Sequence, residues 1–180
     1  MEERTMKSEK PFDGKILSVR VDTIELPGQR YSKREIVEHI GGIGIVAVTN
    51  DVNIVLVKQY RKATEKFLLE IPAGMLEPGE EPRKGAVREL EEETGFIAGK
   101  TEFMTEFYST PGFCTEKIHL FLATDLQEGI QNLDENEDLE VVVISLEEAL
   151  KMIKLGEIMD AKTIIGITMY QMFFKEGHHE

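Results

Sequence analysis

Apolar and polar residues alternate over positions 16–26, where Leu17, Val19, Val21 and Ile24 are separated by polar neighbours, and this period of two predicts a strand with one face on a core. Pro27-Gly28 is a turn signal, so 34–40 reads as the return strand of a hairpin. Two β-branched runs, 43–48 and 54–57, flank Asn50-Asp51, a second hairpin signal, and 67–71 is a further short strand. Ahead of them, 1–12 is polar and charged, ends at Pro11, and reads as a mobile or partner-docked arm.

Helical signals begin at Pro82, which suits a first helical position, and the helix this predicts runs to Thr94, because Gly95 suits the left-handed residue past a helix end. Strands are expected over 102–108 and 118–123, with Thr110-Pro111-Gly112 as a rigid bend between them. A polar, acidic loop fills 127–138, and 139–144 is the last strand. Ser145 to Glu148 form a capping box opening a helix that stops at Gly156. Asp160 caps a final helix over 161–175, with an apolar stripe at Ile164, Ile165, Thr168 and Met172. No internal repeat interrupts this order.

At 180 residues, with 41% hydrophobic and 31% charged positions, the chain is long and apolar enough to bury one core, which excludes global disorder. No apolar run reaches the ~18–20 residues of a membrane span, and the opening MEERTMKSEKPFDGK has no apolar centre, so the expected location is the cytoplasm and no membrane partner is expected. A single cysteine, Cys114, excludes an internal disulfide and fits a reducing compartment. Net charge −13 without a basic stripe disfavours nucleic acid. The same field repels a small anionic substrate, so phosphate chemistry here requires bound cations to invert the local potential.

The candidate chemistry lies in 88–95. Glu89, Glu92 and Glu93 stand at i, i+3 and i+4 of the predicted helix and share one face, while Ala86, Val87 and Leu90 supply an apolar side. Acids at a helix C-terminus oppose the helix dipole at roughly 0.3–1 kcal/mol each. Two carboxylates ~5.5 Å apart repel by about 3 kcal/mol at an effective dielectric near 20, or by less than ~1 kcal/mol in water. Two readings stay open from these residues: a solvated acidic face, or a buried cluster that demands a hard divalent ion, Mg²⁺ or Mn²⁺, since no cysteine or histidine stands nearby.

A resemblance to a known family favours the second. Gly74, then five residues, Glu80, then seven residues, Arg88-Glu89-Leu90-Glu91-Glu92-Glu93-Thr94-Gly95-Phe96 resembles the Nudix box; of its nine specified positions eight agree, Phe96 standing where an aliphatic is usual. Pro111, 16 residues after Gly95, narrows the resemblance to the ADP-ribose pyrophosphatase branch of Nudix hydrolases. So do Leu69-Glu70-Ile71-Pro72-Ala73-Gly74, the 134–138 loop and Asp160-Ala161-Lys162-Thr163. The stretch His39-Ile40-Gly41-Gly42-Ile43-Gly44 departs from the His-Pro-Gly of relatives.

The resemblance implies an α/β fold, a Nudix-like α/β/α sandwich around a mixed β-sheet with a β-rich N-terminal segment: 1–40 as arm, hairpin and dimerisation element, 41–180 as the hydrolase domain. It implies divalent-metal-dependent hydrolysis of ADP-ribose to AMP and ribose 5-phosphate, by a homodimer. The alternatives are another nucleotide sugar or a dinucleoside polyphosphate as substrate, and a non-catalytic nucleotide-binding module, which would ordinarily lose box carboxylates that this chain keeps. Glu89, Glu92, Glu93 and the main-chain oxygen of Ala73 are the implied metal ligands. Glu137, or else Glu135, is the implied general base, in a loop able to close as a lid. Arg88 is expected to hold neighbouring acids, with Glu80 as partner. Arg61 is a candidate diphosphate clamp, because a guanidinium binds two phosphate oxygens at once. Glu116 is expected at the terminal ribose, Arg34 near the adenine, and Pro111 as a substrate marker.

Overall fold

The computed structural model describes residues 2–133 and 137–175, which fall into two compact units. One comprises Met1–Gly41 and Phe107–Lys117, the other Gly42–Glu106 and Ile118–Glu180.

The first unit is a three-stranded antiparallel sheet of β1 (Arg4–Asp13), β2 (Leu17–Leu26) and β3 (Arg30–His39), with β2 central. The predicted hairpin is present, with β3 beginning four residues earlier than its apolar pattern shows. The expected arm is a strand instead. β1 is exposed along its whole length and pairs with β2 through two register shifts, one of them spanning Pro11, which has no N–H to give a ladder. Its order comes from the backbone and from polar contacts such as Ser8 Oγ donating to Asp22 Oδ1 at 2.7 Å, so no apolar alternation announces it. Within this unit, Phe107–Lys117 lies along β3: the Val37 amide donates to Phe113 O at 2.7 Å, and the Thr115 amide to Val37 O at 2.9 Å.

The second unit is built on a mixed sheet. Its strands are β4 (Gly42–Val48), β5 (Asn53–Arg61), β6 (Lys66–Glu70), β7 (Ala73–Met75), β8 (Phe96–Tyr108), β9 (Lys117–Glu128) and β10 (Leu139–Ser145), ordered β10-β5-β4-β9-β8, with β6 on β5 and β7 on β4. The β4–β9 pairing is parallel; β10–β5, β4–β5, β5–β6 and β4–β7 are antiparallel. Helix α1 (Pro82–Thr94) covers one face, its Ala86 and Leu90 packing on Ile43, Ile45, Ala47, Val55, Phe121 and Ala123. Helix α3 (Ala161–Met169) sits on the opposite face, close enough that a Cβ on Gly166 would stand 2.6 Å from Val46. Helix α2 (Leu146–Leu155) precedes it, and both caps are as predicted: Ser145 Oγ accepts from the Glu148 amide at 3.1 Å, Asp160 Oδ2 from the Thr163 amide at 3.0 Å. The last predicted helix turns π-helical over Tyr170–Phe174. No described helix is long and apolar enough to cross a membrane.

Candidate active site

Helix α1 starts at Pro82 without a side-chain cap and ends at Gly95, whose φ of +74° lets its amide return to Glu91 O at 2.8 Å. The segment after β9 closes that end. The Asn132 amide donates to Glu92 O at 3.0 Å, Gln131 Nε2 to Glu93 O at 2.6 Å, and the Gly129 amide to Gly95 O at 2.7 Å, so carbonyls that a helix terminus leaves orphaned are paired. With Leu90 fully buried in the core, the i, i+4 spacing directs Glu89 and Glu93 toward the β6–β7 junction.

There the two acids meet main chain. Glu93 Oε2 accepts from the Ala73 amide at 2.9 Å. The Glu89 carboxyl lies against Gly74 so closely that a Cβ at residue 74 would stand 2.1 Å from it; this is why the box begins on glycine. Arg88 gathers the others. Its Nε and Nη2 reach the two oxygens of Glu80 at 3.0 and 3.1 Å, and Nη1 reaches Glu89 Oε1 at 3.0 Å and Glu92 Oε2 at 2.8 Å. The expected Arg88–Glu80 pairing is therefore present. Glu92 is the most open of these acids and, with Arg88, Arg83, Lys84, Ile130 and Asn132, borders a groove of about 640 Å³.

The acidities follow from the surroundings. Arg88 holds Glu80 below its ordinary value, and that contact chiefly raises Arg88 itself. Burial pushes Glu93 up to about 8; the Ala73 amide opposes this, while Glu89 and Glu137 add repulsion. Glu89 is also raised, by burial first, against the pull of Arg88 and with repulsion from Glu92 and Glu137. One guanidinium thus serves three carboxylates, and among the described residues the most buried acid of the helix has only an amide within hydrogen-bond reach. Among the described residues no three carboxylate, histidine or cysteine groups stand as a ready ligand cluster, since Arg88 spans Glu80, Glu89 and Glu92. All-oxygen donors, one buried and one half-buried and both resisting ionisation, are nonetheless a set that a hard divalent cation fits.

Other candidates divide between the units. Glu137, partly buried, lies near enough to Glu89 and Glu93 to raise both; Glu135 lies outside the described residues. Arg61 ends β5 rather than following it, and binds Glu70 bidentately at 2.7 and 2.8 Å. The remaining three belong to the other unit. There Arg34 Nε meets Glu3 Oε2 at 3.0 Å, Glu116 pairs with His39 Nδ1 at 3.4 Å, and Pro111 sits in a turn closed by the Cys114 amide on Thr110 O at 3.0 Å. Sequence reasoning quoted Glu70 and Lys162 only within the stretches that carry the resemblance and gave neither a role, yet they pair with each other; a glutamate flanked by Leu69 and Ile71 in a strand was the available signal.

Comparison with known proteins bears on this geometry. A family model described as NUDIX domain matches residues 38–164. The chain is 47% identical over 174 residues to an ADP-ribose pyrophosphatase of Bacillus subtilis (strain 168), covering 96% of this chain and 94% of that protein. It is 46% identical to a methanol dehydrogenase activator of Bacillus methanolicus, covering 95% and 94%. A crystal structure of an ADP compounds hydrolase superposes with a TM-score of 0.87 at 22% identity, covering 98% of this chain and 96% of that one, and shares the fold.

Proposed function

The chain belongs to the Nudix hydrolase family, and on that premise we propose that it hydrolyses the diphosphate bond of ADP-ribose to AMP and ribose 5-phosphate with Mg²⁺ as the working ion, Mn²⁺ belonging to the same ligand class. The observation that carries the reading is the pair of helix acids, buried Glu93 and half-buried Glu89, brought against Ala73 and Gly74 with one guanidinium shared among three carboxylates nearby. The name of the Bacillus subtilis relative supports the substrate.

Glu89, Glu92 and Glu93, with the main-chain oxygen of Ala73, are the groups that would hold divalent ions; bound there, such ions supply the positive charge that offsets the diphosphate and acidify water. Hydrolysis joins a water oxygen to one phosphorus, breaks the anhydride P–O bond, and leaves two phosphate monoesters. Glu137 takes the proton of the attacking water in this reading, with Glu135 as its alternate. Arg88 holds Glu89 and Glu92 side by side and ties them to Glu80. Arg61 holds the diphosphate with guanidinium N–H groups not committed to Glu70. Arg34, Glu116 and Pro111 recognise the adenosine and terminal ribose ends, and the three-stranded unit serves a homodimer in the cytoplasm. Exposed Met6, Phe12, Tyr31, Ile40 and Phe113 on that unit support a second copy as partner.

A substrate panel tests this: ADP-ribose, ADP-glucose, NADH and a diadenosine polyphosphate, each with Mg²⁺, with products identified by chromatography. AMP with ribose 5-phosphate, formed fastest from ADP-ribose, is the expected result; preference for another compound transfers the proposal to that nucleotide class.

A further inference from the structure

A second buried ion network joins β6 to the start of α3. Glu70, only 2% exposed, receives Arg61 on both carboxylate oxygens and also the Nζ of Lys162. Lys162 is itself largely buried and meets Asp160 Oδ1 at 3.1 Å. Asp160 is fixed in turn, since its Oδ2 accepts from the Thr163 amide at 3.0 Å and from Thr163 Oγ1 at 2.6 Å. Thr163 Oγ1 then accepts from the amide of Ile71, the residue after Glu70, at 2.8 Å. The network is anchored on both elements, so its charges cannot drift to new partners.

Its charge distribution is uneven. Arg61 spends Nε–H and one Nη2–H on Glu70, which leaves three of the five guanidinium donors uncommitted to that carboxylate, and Arg61 is the more open partner at 39% exposure of its side chain. The network counts two cations and two carboxylates and is neutral as a whole, so the surplus is local to Arg61: Glu70 is shared between Arg61 and Lys162, while Asp160 pairs with Lys162. Lys162, on α3, is the more buried of the two cations at 14% side-chain exposure, with Glu70 and Asp160 as its partners.

We propose that Lys162 is a positioning residue for anion recognition: by sharing Glu70 it leaves Arg61 the surplus positive charge with which to hold a diphosphate. The inference rests on the reading of Arg61 as the diphosphate clamp. It differs from a structural role in sign. Removing the lysine should weaken anion binding, removing the glutamate charge should strengthen it, and removing both should restore it. A bridge that only supports the fold gives losses in all three.

Full-length parent, Lys162→Met, Glu70→Gln, the double variant and Lys162→Arg are titrated calorimetrically with inorganic diphosphate in EDTA, and KM and kcat for ADP-ribose are measured with Mg²⁺. We expect Lys162→Met to weaken diphosphate binding about tenfold, the scale of one unit charge about 12 Å away at an effective dielectric near 20, and to raise KM more than it lowers kcat. Glu70→Gln should tighten binding, the double variant should return to within about twofold of the parent, and Lys162→Arg should keep parent affinity. Weaker binding in both single variants, or no diphosphate binding by the parent, overturns the proposal. If Lys162→Met fails to fold, the sign of the Glu70→Gln change alone decides. Parent protein that binds diphosphate with the expected pattern but does not hydrolyse ADP-ribose refutes the substrate and leaves this inference standing.

Discussion

Glu70 and Glu93 are buried to nearly the same depth, at 2% and 3% exposure, and their acidities move in opposite directions. Burial alone would raise Glu70, yet Arg61 and Lys162 bring it down to about 2; burial of Glu93, answered by one amide, takes it to about 8. Between the ordinary value of 4.5 and about 8, the folded chain holds a proton on Glu93 that the unfolded chain has lost. The stability contributed by the protonated form is full below pH 4.5 and disappears as pH rises through about 8. For Glu70 the sign reverses: its contribution is present above pH 4.5 and is lost as pH falls toward 2. In EDTA at pH 8, Glu93→Gln should therefore melt about 3–6 °C above the parent, with the gap closing toward pH 4.5, while its hydrolysis measured with Mg²⁺ is lost. An equal or lower Tm at pH 8 would remove the argument for an uncompensated acid. A second residue-scale test is Gly74→Ala, whose new Cβ meets only the far end of the Glu89 side chain. Glu89 can swing away, so Tm should move by no more than a few degrees while kcat falls at least tenfold; unchanged kcat would mean that the Glu89 position is immaterial.

At the scale of elements, what the sequence made legible depended on whether side-chain chemistry or backbone pairing built each piece. Helix α1, its Pro82 start and its Gly95 stop, and the caps at Ser145 and Asp160 were readable because each requires a particular residue type at a particular position. Strand β1 was not, because it is exposed throughout and is ordered by its ladder to β2 and by polar contacts that carry no apolar alternation. The three residues of β7 were hidden for a related reason: Gly42 and Gly44 on β4, and Gly74 opposite, carry no side-chain signal, although this short ladder places Ala73 and Gly74 beside the acids. The bound state of Arg61 was illegible too, since a guanidinium can pair with Glu70 or with phosphate and the sequence does not say which. Gly95 gives the element-scale prediction. An alanine there must take a left-handed φ and put its Cβ 2.8 Å from the backbone nitrogen of Gln131. Gly95→Ala should cost about 2 kcal/mol, lowering Tm by roughly 4–8 °C, and should reduce activity by shifting the end of α1 that carries Glu92 and Glu93. Parent-like Tm would show that the 129–132 contacts do not hold that end.

For the whole molecule, net charge −13 and a site made of carboxylates are one problem, because a diphosphate approaching this protein meets repulsion from both. Positive charge must be assembled locally, from Arg61 and Arg88 and from ions taken up by the helix acids; the Arg88–Glu80 pairing was legible in the sequence, whereas neither the charge total nor the box spacing reveals that Arg61 is already engaged with Glu70. The homodimer belongs to this scale as well. Light scattering after size exclusion should give about twice the 20.4 kDa chain mass, and a mass of one chain at micromolar concentration would refute it. The most direct test of the central claim is electron paramagnetic resonance of Mn²⁺ titrated into chelator-stripped protein at pH 8. Saturable loss of the free-ion signal with the parent, and its absence with Glu89→Gln and Glu93→Gln, is the predicted result; a parent that leaves the free-ion signal intact, or variants that bind as the parent does, would contradict the account.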